Sequence, residues 1–262
     1  MNDNRIPCLF LDTTAQIRRR IGTRKEKANI TKHLASTKSL VSSTFVKMEY
    51  KRRMIRDLVY MLTVLNESDS PAAFCRRIEN LPKAQSPKIR IMFAYLASYY
   101  EEEETQELSM DLIAESLKFQ IPRLWLLFDR DLSEVLDGTG CAQARTGPIR
   151  HGESFKSPVQ HNICKKRLCT IGDFLDTHRK RFEKIYEAVK ETGDEKFRAA
   201  LEKAFGDFSS LHDHSVCWQL GDIIIALEIP IGCSAFTSNL CHFDPICKAL
   251  GLKVQSLQWA DS

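Results

Sequence analysis

Residues 220–227 read Leu-Gly-Asp-Ile-Ile-Ile-Ala-Leu and combine one carboxylate with a wholly apolar helical turn. The side chains after Asp222 draw its backbone toward a core, so this carboxylate is expected at the edge of something buried. A second apolar segment follows and ends in Thr237 and Asn239. It predicts a buried strand that delivers polar side chains at its carboxyl end. The two segments together predict half of a carboxylate site on an α/β sheet.

The other half of this site is predicted near the start of the chain. Residues 6–11 form an apolar run that ends at Asp12, which is typical of a buried parallel strand. Open α/β sheets bind their ligands at the carboxyl edge of such strands. Residues 41–65 then carry apolar side chains at helical spacing, with N-cap candidates at 42–44 and an acid, Glu49, among basic neighbours.

Acids at the ends of separate buried elements suit metal-assisted hydrolysis. Cleavage of a phosphodiester near neutral pH needs a hydroxide and a counter-charge for the transition state, and divalent cations supply both. Mg²⁺ and Mn²⁺ prefer oxygen ligands. We expect Asp12 and Asp222 to bind metal directly, Glu49 to bind directly or through water, and Asn239 to hold a metal-bound water or a phosphate oxygen. Singly, these residues also suit turns, ion pairs and helix caps.

Four motifs in this order resemble the PIN-domain family of metal-dependent nucleases. They are the apolar strand ending in Asp12-Thr13, Ser-Ser-x-x-x-x-Met-Glu-Tyr-Lys-Arg at 42–52, Gly-Asp-x-Ile-Ile-Ala at 221–226, and Thr-x-Asn-x-x-His-Phe at 237–243. The resemblance covers residues 1–60 and about the last 45 residues, which is under half of the chain.

The resemblance implies a parallel sheet with an acidic pocket that binds Mg²⁺ or Mn²⁺ and hydrolyses a phosphodiester, usually in single-stranded RNA. Asp12, Glu49 and Asp222 match the carboxylates of the family, and Asn239 matches its fourth position. Thr14 stands where the family often has Asn. An Asn at the fourth position, in place of Asp, removes one charge from the site.

Basic residues are concentrated near the predicted acids. Residues 1–56 hold 14 Lys and Arg against four acids, a local net charge of +10 in a chain whose net charge is +4. Such a basic rim offsets the repulsion between a phosphate polymer and an acidic pocket, and it gives salt-dependent affinity. A solvated helix face is the competing interpretation. We assign the nucleic-acid contacts to Thr13, Lys51, Arg52, Arg53 and Thr237.

Residues 61–206 predict a long, mostly helical insertion. Its expected elements are helices beginning at Ser70-Pro71 and Ser86-Pro87 and helices at 110–118 and 124–136 divided by Pro122. Residues 138–170 lose the helical period and gain Gly and Pro, which indicates a loop. After the insertion, the sequence predicts a last helix at 244–250 and an edge strand at 252–257.

The loop at 138–170 contains candidate ligands for a soft metal. Cys141, His161, Cys164 and Cys169 would make a Cys₃His set for a structural zinc ion. Their spacing fits no standard zinc finger, and buried free cysteines are common, so core packing is the alternative.

Composition describes an ordinary folded protein, with 43% hydrophobic and 27% charged residues. There is no apolar stretch long enough to span a bilayer, and the first residues lack the layout of a secretory signal. We therefore expect a cytoplasmic protein. Nine cysteines in that setting predict reduced thiols or metal ligands rather than a disulfide framework.

These observations predict an α/β fold with a PIN-like parallel sheet flanked by helices, formed by residues 1–60 and 207–262. The expected function is a metal-dependent nuclease that cleaves single-stranded RNA with a metal-activated water. Two alternatives stay open, a nucleic-acid-binding protein without catalysis and a regulatory module nucleated by zinc. Nucleic acid is the expected partner, RNA before DNA, with no membrane. The insertion could also serve a homo-oligomer or an inhibitory or regulatory protein, and toxin-antitoxin pairs and phage defence are both suitable settings.

Overall fold

The fold is built on a parallel sheet, seen in a computed structural model that describes residues 6–82, 85–103, 109–157, 164, 169–208, 211 and 214–256. Within these residues the sheet has five strands, all parallel, in the order β3-β2-β1-β6-β7. A separate antiparallel hairpin pairs β4 with β5. The strands are β1 (Leu9–Leu11), β2 (Leu40–Ser43), β3 (Glu134–Leu136), β4 (Ile149–His151), β5 (Ser154–Lys156), β6 (Ser234–Thr237) and β7 (Val254–Ser256).

Helices flank the sheet and form most of the rest of the chain. In chain order they are α1 (Thr13–Ile21), α2 (Arg24–Ala35), α3 (Thr44–Tyr50), α4 (Arg56–Asn66), α5 (Pro71–Glu79), α6 (Ser86–Glu103), α7 (Met110–Leu127), α8 (Ile171–Thr177), α9 (Arg179–Val189), α10 (Glu195–Gly206), α11 (His214–Gln219), α12 (Gly221–Glu228) and α13 (Leu240–Leu250). A π-helical turn, Lys51–Ile55, joins α3 to α4. No described helix combines the length and the hydrophobicity needed to cross a membrane.

The two central strands confirm the predicted buried runs near the chain ends. Every residue of β1 and of β6 is buried, which explains why these runs lack the alternation of a half-exposed strand. The strands pair in parallel, with Leu9 opposite Ser234 and Leu11 opposite Phe236. Their carboxyl ends therefore meet at one edge of the sheet, as the sequence predicted. The predicted edge strand is also present, as β7 beside β6.

The long helix after β2 starts later than its apolar period suggested. Residues 41–43 belong to β2, and the helix begins at Thr44. Ser43 caps it, since its side chain accepts a hydrogen bond from the backbone N of Val46 at 3.2 Å. A single serine thus ends a strand and begins a helix, which fixes the position of Glu49 relative to the strand ends.

Two predicted boundaries in the insertion were wrong. Helix α7 runs without a break through Pro122, so the helices predicted at 110–118 and 124–136 are one helix that ends at Leu127. Residues 134–136 form β3, because they pair with β2, where Val41 lies opposite Glu134. Long-range pairing therefore overrides the local helical pattern there. The insertion contributes an edge strand to the central sheet.

The helix predicted at 244–250 begins earlier, at Leu240, and Pro245 lies inside it. Its first turn is held by the backbone N of Phe243, which donates to the carbonyl of Asn239 at 3.1 Å. The helix ends at Gly251, whose φ of 67° lies in the left-handed region that favours glycine.

A disulfide joins Cys8 to Cys233, against the expectation of reduced thiols. The two cysteines directly precede β1 and β6, and the parallel register of these strands makes them neighbours, with Cα atoms 4.5 Å apart. The bond links positions 225 residues apart in the chain. It therefore ties together the two segments that carry the predicted acids.

Candidate functional site

Asp12 lies at the carboxyl end of β1 and caps α1. Its carboxylate accepts hydrogen bonds from the backbone N of Ala15 at 2.7 Å, from the Thr14 hydroxyl at 2.9 Å and from the Thr237 hydroxyl at 2.6 Å. Burial raises the pKa of Asp12 to about 6, the hydrogen bonds oppose this increase, and the negative charge of Asp222 adds to it. The electrostatic effect of Asp222 indicates that the first and the last of the three predicted site acids, Asp12 and Asp222, share one site.

Glu49 is also buried at this site, against the N-terminus of α12. Its Oε2 accepts a hydrogen bond from the Thr13 hydroxyl at 2.8 Å, and its Oε1 lies 3.7 Å from Nη2 of Arg52. Gly221 packs directly against the carboxylate, because a Cβ built there would lie 2.6 Å from Oε1 of Glu49. The glycine before Asp222 thus leaves room for the third acid.

Asp222 lies in the first turn of α12 and is the most accessible of the three acids, with 26% of its side chain exposed. Its Oδ2 accepts a hydrogen bond from Nδ2 of Asn239 at 3.3 Å and lies 3.1 Å from Nδ1 of His242. The hydrogen bond with Asp222 is the main cause that raises the pKa of His242. The sequence motif contains this histidine, but its contact with the acid was not predicted.

The predicted acids and Asn239 are therefore gathered at one edge of the sheet. Their oxygen donors suit Mg²⁺ or Mn²⁺ in chemical type. Among the described residues, however, no three His, Cys, Asp or Glu side chains are arranged as a group that could hold a metal ion. Asp222 is the most accessible of the three acids, whereas Asp12 is engaged by Ala15, Thr14 and Thr237, and Glu49 is engaged by Thr13 and Arg52.

The two threonines assigned to nucleic acid lie inside the site. Thr13 and Thr237 are buried, at 2% and 0% exposure, and their hydroxyls donate to Glu49 and Asp12. They orient carboxylates and present no surface to a polymer, so we correct their assignment to positioning residues. Thr14 has a similar role, since its hydroxyl donates to Asp12 and accepts from the backbone N of Ser238 at 3.1 Å.

The three consecutive basic residues after Glu49 point in different directions. Lys51 is fully buried, and its ammonium donates to the carbonyls of Gln143 and Thr146. Burial lowers its pKa to about 8. Arg52 is 5% exposed, and its guanidinium lies 3.8 Å from the ring centre of Trp218. Lys51 and Arg52 therefore do not form the basic rim predicted from sequence, and only Arg53 of the three is exposed.

A first cleft of about 550 Å³ opens beside the acids. Its lining includes Glu49, Asp222 and His242, together with the aromatic side chains of Phe197 and Trp218. Trp218 lies in α11, four residues before Asp222, and is 42% exposed. This partly exposed indole provides an apolar surface in the same cleft as Glu49 and Asp222. The sequence places this tryptophan near Asp222, but its exposure comes from the fold.

A second cleft of about 650 Å³ lies next to the first, and Arg53 and Trp218 line both. Thr14 and Ser238 also line this cleft. The Thr14 hydroxyl donates to Asp12 and accepts from the backbone N of Ser238, so the cleft reaches residues that hold Asp12. Its lining includes five basic side chains, Arg18, Arg53, Arg56, Lys88 and Arg90, with the acids Glu26 and Asp57. The basic surface near the site therefore comes from α1, α4, α6 and the π-helical turn, and it includes residues of the insertion.

The candidate zinc ligands are only partly described, because His161 lies outside the described residues. Cys141, Cys164 and Cys169 are close enough to influence each other electrostatically: burial raises the pKa of Cys141 to about 11, and the other two thiols add to this increase. Cys217, which the sequence analysis did not include, belongs to the same cluster, since its pKa is raised chiefly by burial and further by Cys141 and Cys169. As described, these sulfur atoms do not form a metal-holding group.

Comparisons with protein-family models, with curated proteins and with solved structures found no match.

Proposed function

We propose that this protein is a metal-dependent phosphodiesterase that cleaves nucleic acid, with single-stranded RNA as the expected substrate. One observation carries the proposal: Asp12, Glu49 and Asp222 come from three distant segments and meet at the carboxyl edge of the central strands. Open α/β sheets use this edge for ligands. Burial raises the pKa of Asp12, and an acid perturbed in this way beside a cleft is typical of functional sites.

The residues of this site have distinct proposed roles. Asp12 and Asp222 would hold Mg²⁺ or Mn²⁺, and Glu49 would contact it through water. The metal, when bound, supplies an activated water and a counter-charge for the transition state. Thr14 and Thr237 orient Asp12 through their hydroxyls, and Asn239 orients Asp222.

The two clefts support a polymeric substrate. Phosphates would lie along the basic side chains of the second cleft, where Arg53 is shared with the first. A base would stack on the exposed face of Trp218, since base-aromatic stacking tolerates any sequence and requires an unpaired base. The arrangement places a stacking residue and an arginine next to the acids, which favours a single strand over a duplex.

The test is cleavage of labelled single- and double-stranded RNA and DNA with Mg²⁺, Mn²⁺ or EDTA. The variants are Asp12→Asn and Asp222→Asn, and Glu79→Gln on the exposed surface of α5 is the matched control. We expect metal-dependent cleavage that both site variants lose and the control keeps. Cleavage that persists in Asp12→Asn, or that does not need a divalent metal, would refute the assignment.

A nucleic-acid-binding protein without catalysis is the second candidate. The observation that favours it is the basic second cleft, whose arginines and lysine do not depend on a metal. In that case nucleic acid would bind equally well to the wild type and to both site variants in EDTA, and none of the proteins would cut.

A structural zinc ion is a separate proposal, now with Cys217 in place of His161 as the fourth ligand. Binding would require the four thiols to draw together from their described positions, with loss of their protons. Elemental analysis should then find about one zinc per chain, and the Cys169→Ser variant should lose it. If the zinc content does not exceed background, the proposal is refuted and the four cysteines serve as packing residues.

A further inference from the structure

Helix α7 carries an apolar row on its outer face. Leu112, Phe119 and Leu126 are spaced seven residues apart and are 61%, 63% and 72% exposed. Residues seven apart lie on nearly the same side of an α-helix, so the three side chains form one row along it. The opposite face of α7 is already buried in the core through Ile113, Leu117, Ile121 and Leu124. The exposed row is therefore additional to the face that holds the helix in the fold.

Two pairs of exposed residues on α7 are arranged symmetrically about Phe119, one matched in size and the other opposite in charge. Leucine stands seven residues before and seven residues after it, at 112 and 126. Glu115 stands four residues before it and Arg123 four residues after it, and both are exposed. If the helix direction is reversed about Phe119, Leu112 takes the position of Leu126 and Glu115 takes the position of Arg123.

The hairpin of β4 and β5 lies beside this row. Gly147, just before the hairpin, touches Trp125, because a Cβ built there would lie 2.5 Å from Nε1 of the indole. At the hairpin turn, Glu153 lies 2.6 Å from Nζ of Lys118. Ile149 is between these two points of contact and is 53% exposed. The hairpin that contacts α7 at these two points thus carries an exposed apolar side chain, and exposed apolar surface marks interaction sites.

We propose that two copies of the protein associate through α7, with the two helices antiparallel and crossing at Phe119. Leu112 then faces Leu126 of the partner subunit, and Glu115 faces Arg123 of the partner subunit. A parallel pair would instead oppose Glu115 to its own equivalent and Arg123 to its own equivalent, and like charges disfavour that arrangement. Self-complementarity under a two-fold axis is the property of an interface between identical subunits, which is why we assign a second copy as the partner.

This interface leaves the candidate active site open. The two clefts beside the acids are lined by other segments, and no residue of α7 contributes to either of them. The proposal is therefore independent of the proposed function, and association is expected with or without nucleic acid or divalent metal.

Sedimentation velocity over a concentration series tests the association. We expect the wild type to form a dimer and Phe119→Asp to be monomeric over the same range, with at least a tenfold weaker association. Ile231→Asp is the matched control, since Ile231 is 98% exposed in a turn elsewhere on the surface. It should dimerise as the wild type does. Circular dichroism confirms that each variant is folded, which is expected because the substituted side chains are exposed.

A charge exchange tests the antiparallel orientation. Glu115→Arg and Arg123→Glu should each weaken the dimer, and the double variant should restore most of the association. A wild type that remains monomeric at every concentration, or a Phe119→Asp variant that dimerises normally, would overturn the proposal. A double variant no stronger than the single ones would overturn the antiparallel pairing.

Discussion

The buried acid Glu228 makes the stability of this protein depend on pH in a calculable way. It is the last residue of α12 and is 7% exposed. Its Oε1 accepts a hydrogen bond from the backbone N of Thr139 at 3.3 Å, whereas its Oε2 has no hydrogen-bond partner among the described residues. Burial raises its pKa from 4.5 to about 8. The folded protein therefore keeps a proton at neutral pH that the unfolded chain has released.

The sign and size of the effect follow from proton binding. Below pH 4.5 the carboxyl group is protonated in both the folded and the unfolded state, so it does not change the free energy of unfolding with pH. Between pH 4.5 and 8 only the folded state holds the proton, so the free energy of unfolding falls by about 1.4 kcal/mol per pH unit. From pH 5 to pH 7 the expected loss from this group is roughly 2.5 kcal/mol. Above pH 8 its contribution is constant.

Glu228→Gln removes this titration while it keeps the shape of the side chain. We expect the free energy of unfolding of the variant, relative to that of the wild type, to be roughly 2.5 kcal/mol higher at pH 7 than at pH 5. Urea unfolding followed by circular dichroism measures it. Glu79→Gln, on the exposed surface, is the control and should show no such gain. An equal stability difference between Glu228→Gln and the wild type at both pH values would refute the raised pKa.

Further predictions concern the site and the strand ends. Gly221→Ala should reduce cleavage, measured as kcat with saturating RNA, because the added methyl group would displace the carboxylate of Glu49. Gly206→Ala is the control and should not reduce it, because Gly206 has open space around it. Trp218→Leu should weaken binding of single-stranded RNA in EDTA by about five- to a hundredfold, measured by fluorescence anisotropy, if one base stacks on it. Reduction of the Cys8–Cys233 disulfide should lower the free energy of unfolding by up to about 5 kcal/mol in urea titrations, because the bond closes a 225-residue loop, and the double serine variant should not respond to reductant.

The polar residues at the strand ends were predictable because of the apolar runs that precede them. Asp12 and Asn239 each follow a run of apolar residues, and such runs mark buried parallel strands. Asp222 lies in the first turn of an apolar helix, and the apolar side chains that follow it mark this helix as buried. Their meeting at one edge then follows from parallel pairing, which the alternating connection of strands and helices favours.

The directions of the basic residues were not predictable in the same way. Lys51, Arg52 and Arg53 are neighbours in sequence and suggest one charged face. In the structure they occupy a π-helical turn, where an α-helical projection of side-chain direction no longer applies. Burial of Lys51 also depends on carbonyls from residues 143 and 146, far away in the chain. Strand β3 escaped prediction for a related reason, since three residues at a sheet edge carry almost no periodic signal.

The bond between Cys8 and Cys233 has a consequence for limited proteolysis. A protease that cuts the backbone once within residues 61–206 produces two fragments, one with Asp12 and the other with Asp222. The disulfide holds both fragments in a single molecule, and the parallel pairing of β1 with β6 keeps the two acids in register. Nicked protein should therefore migrate as an intact chain on a denaturing gel without reductant and as two bands with it. A preparation that looks homogeneous under the first condition can thus be fully cleaved, and the scaffold of the site survives the cut.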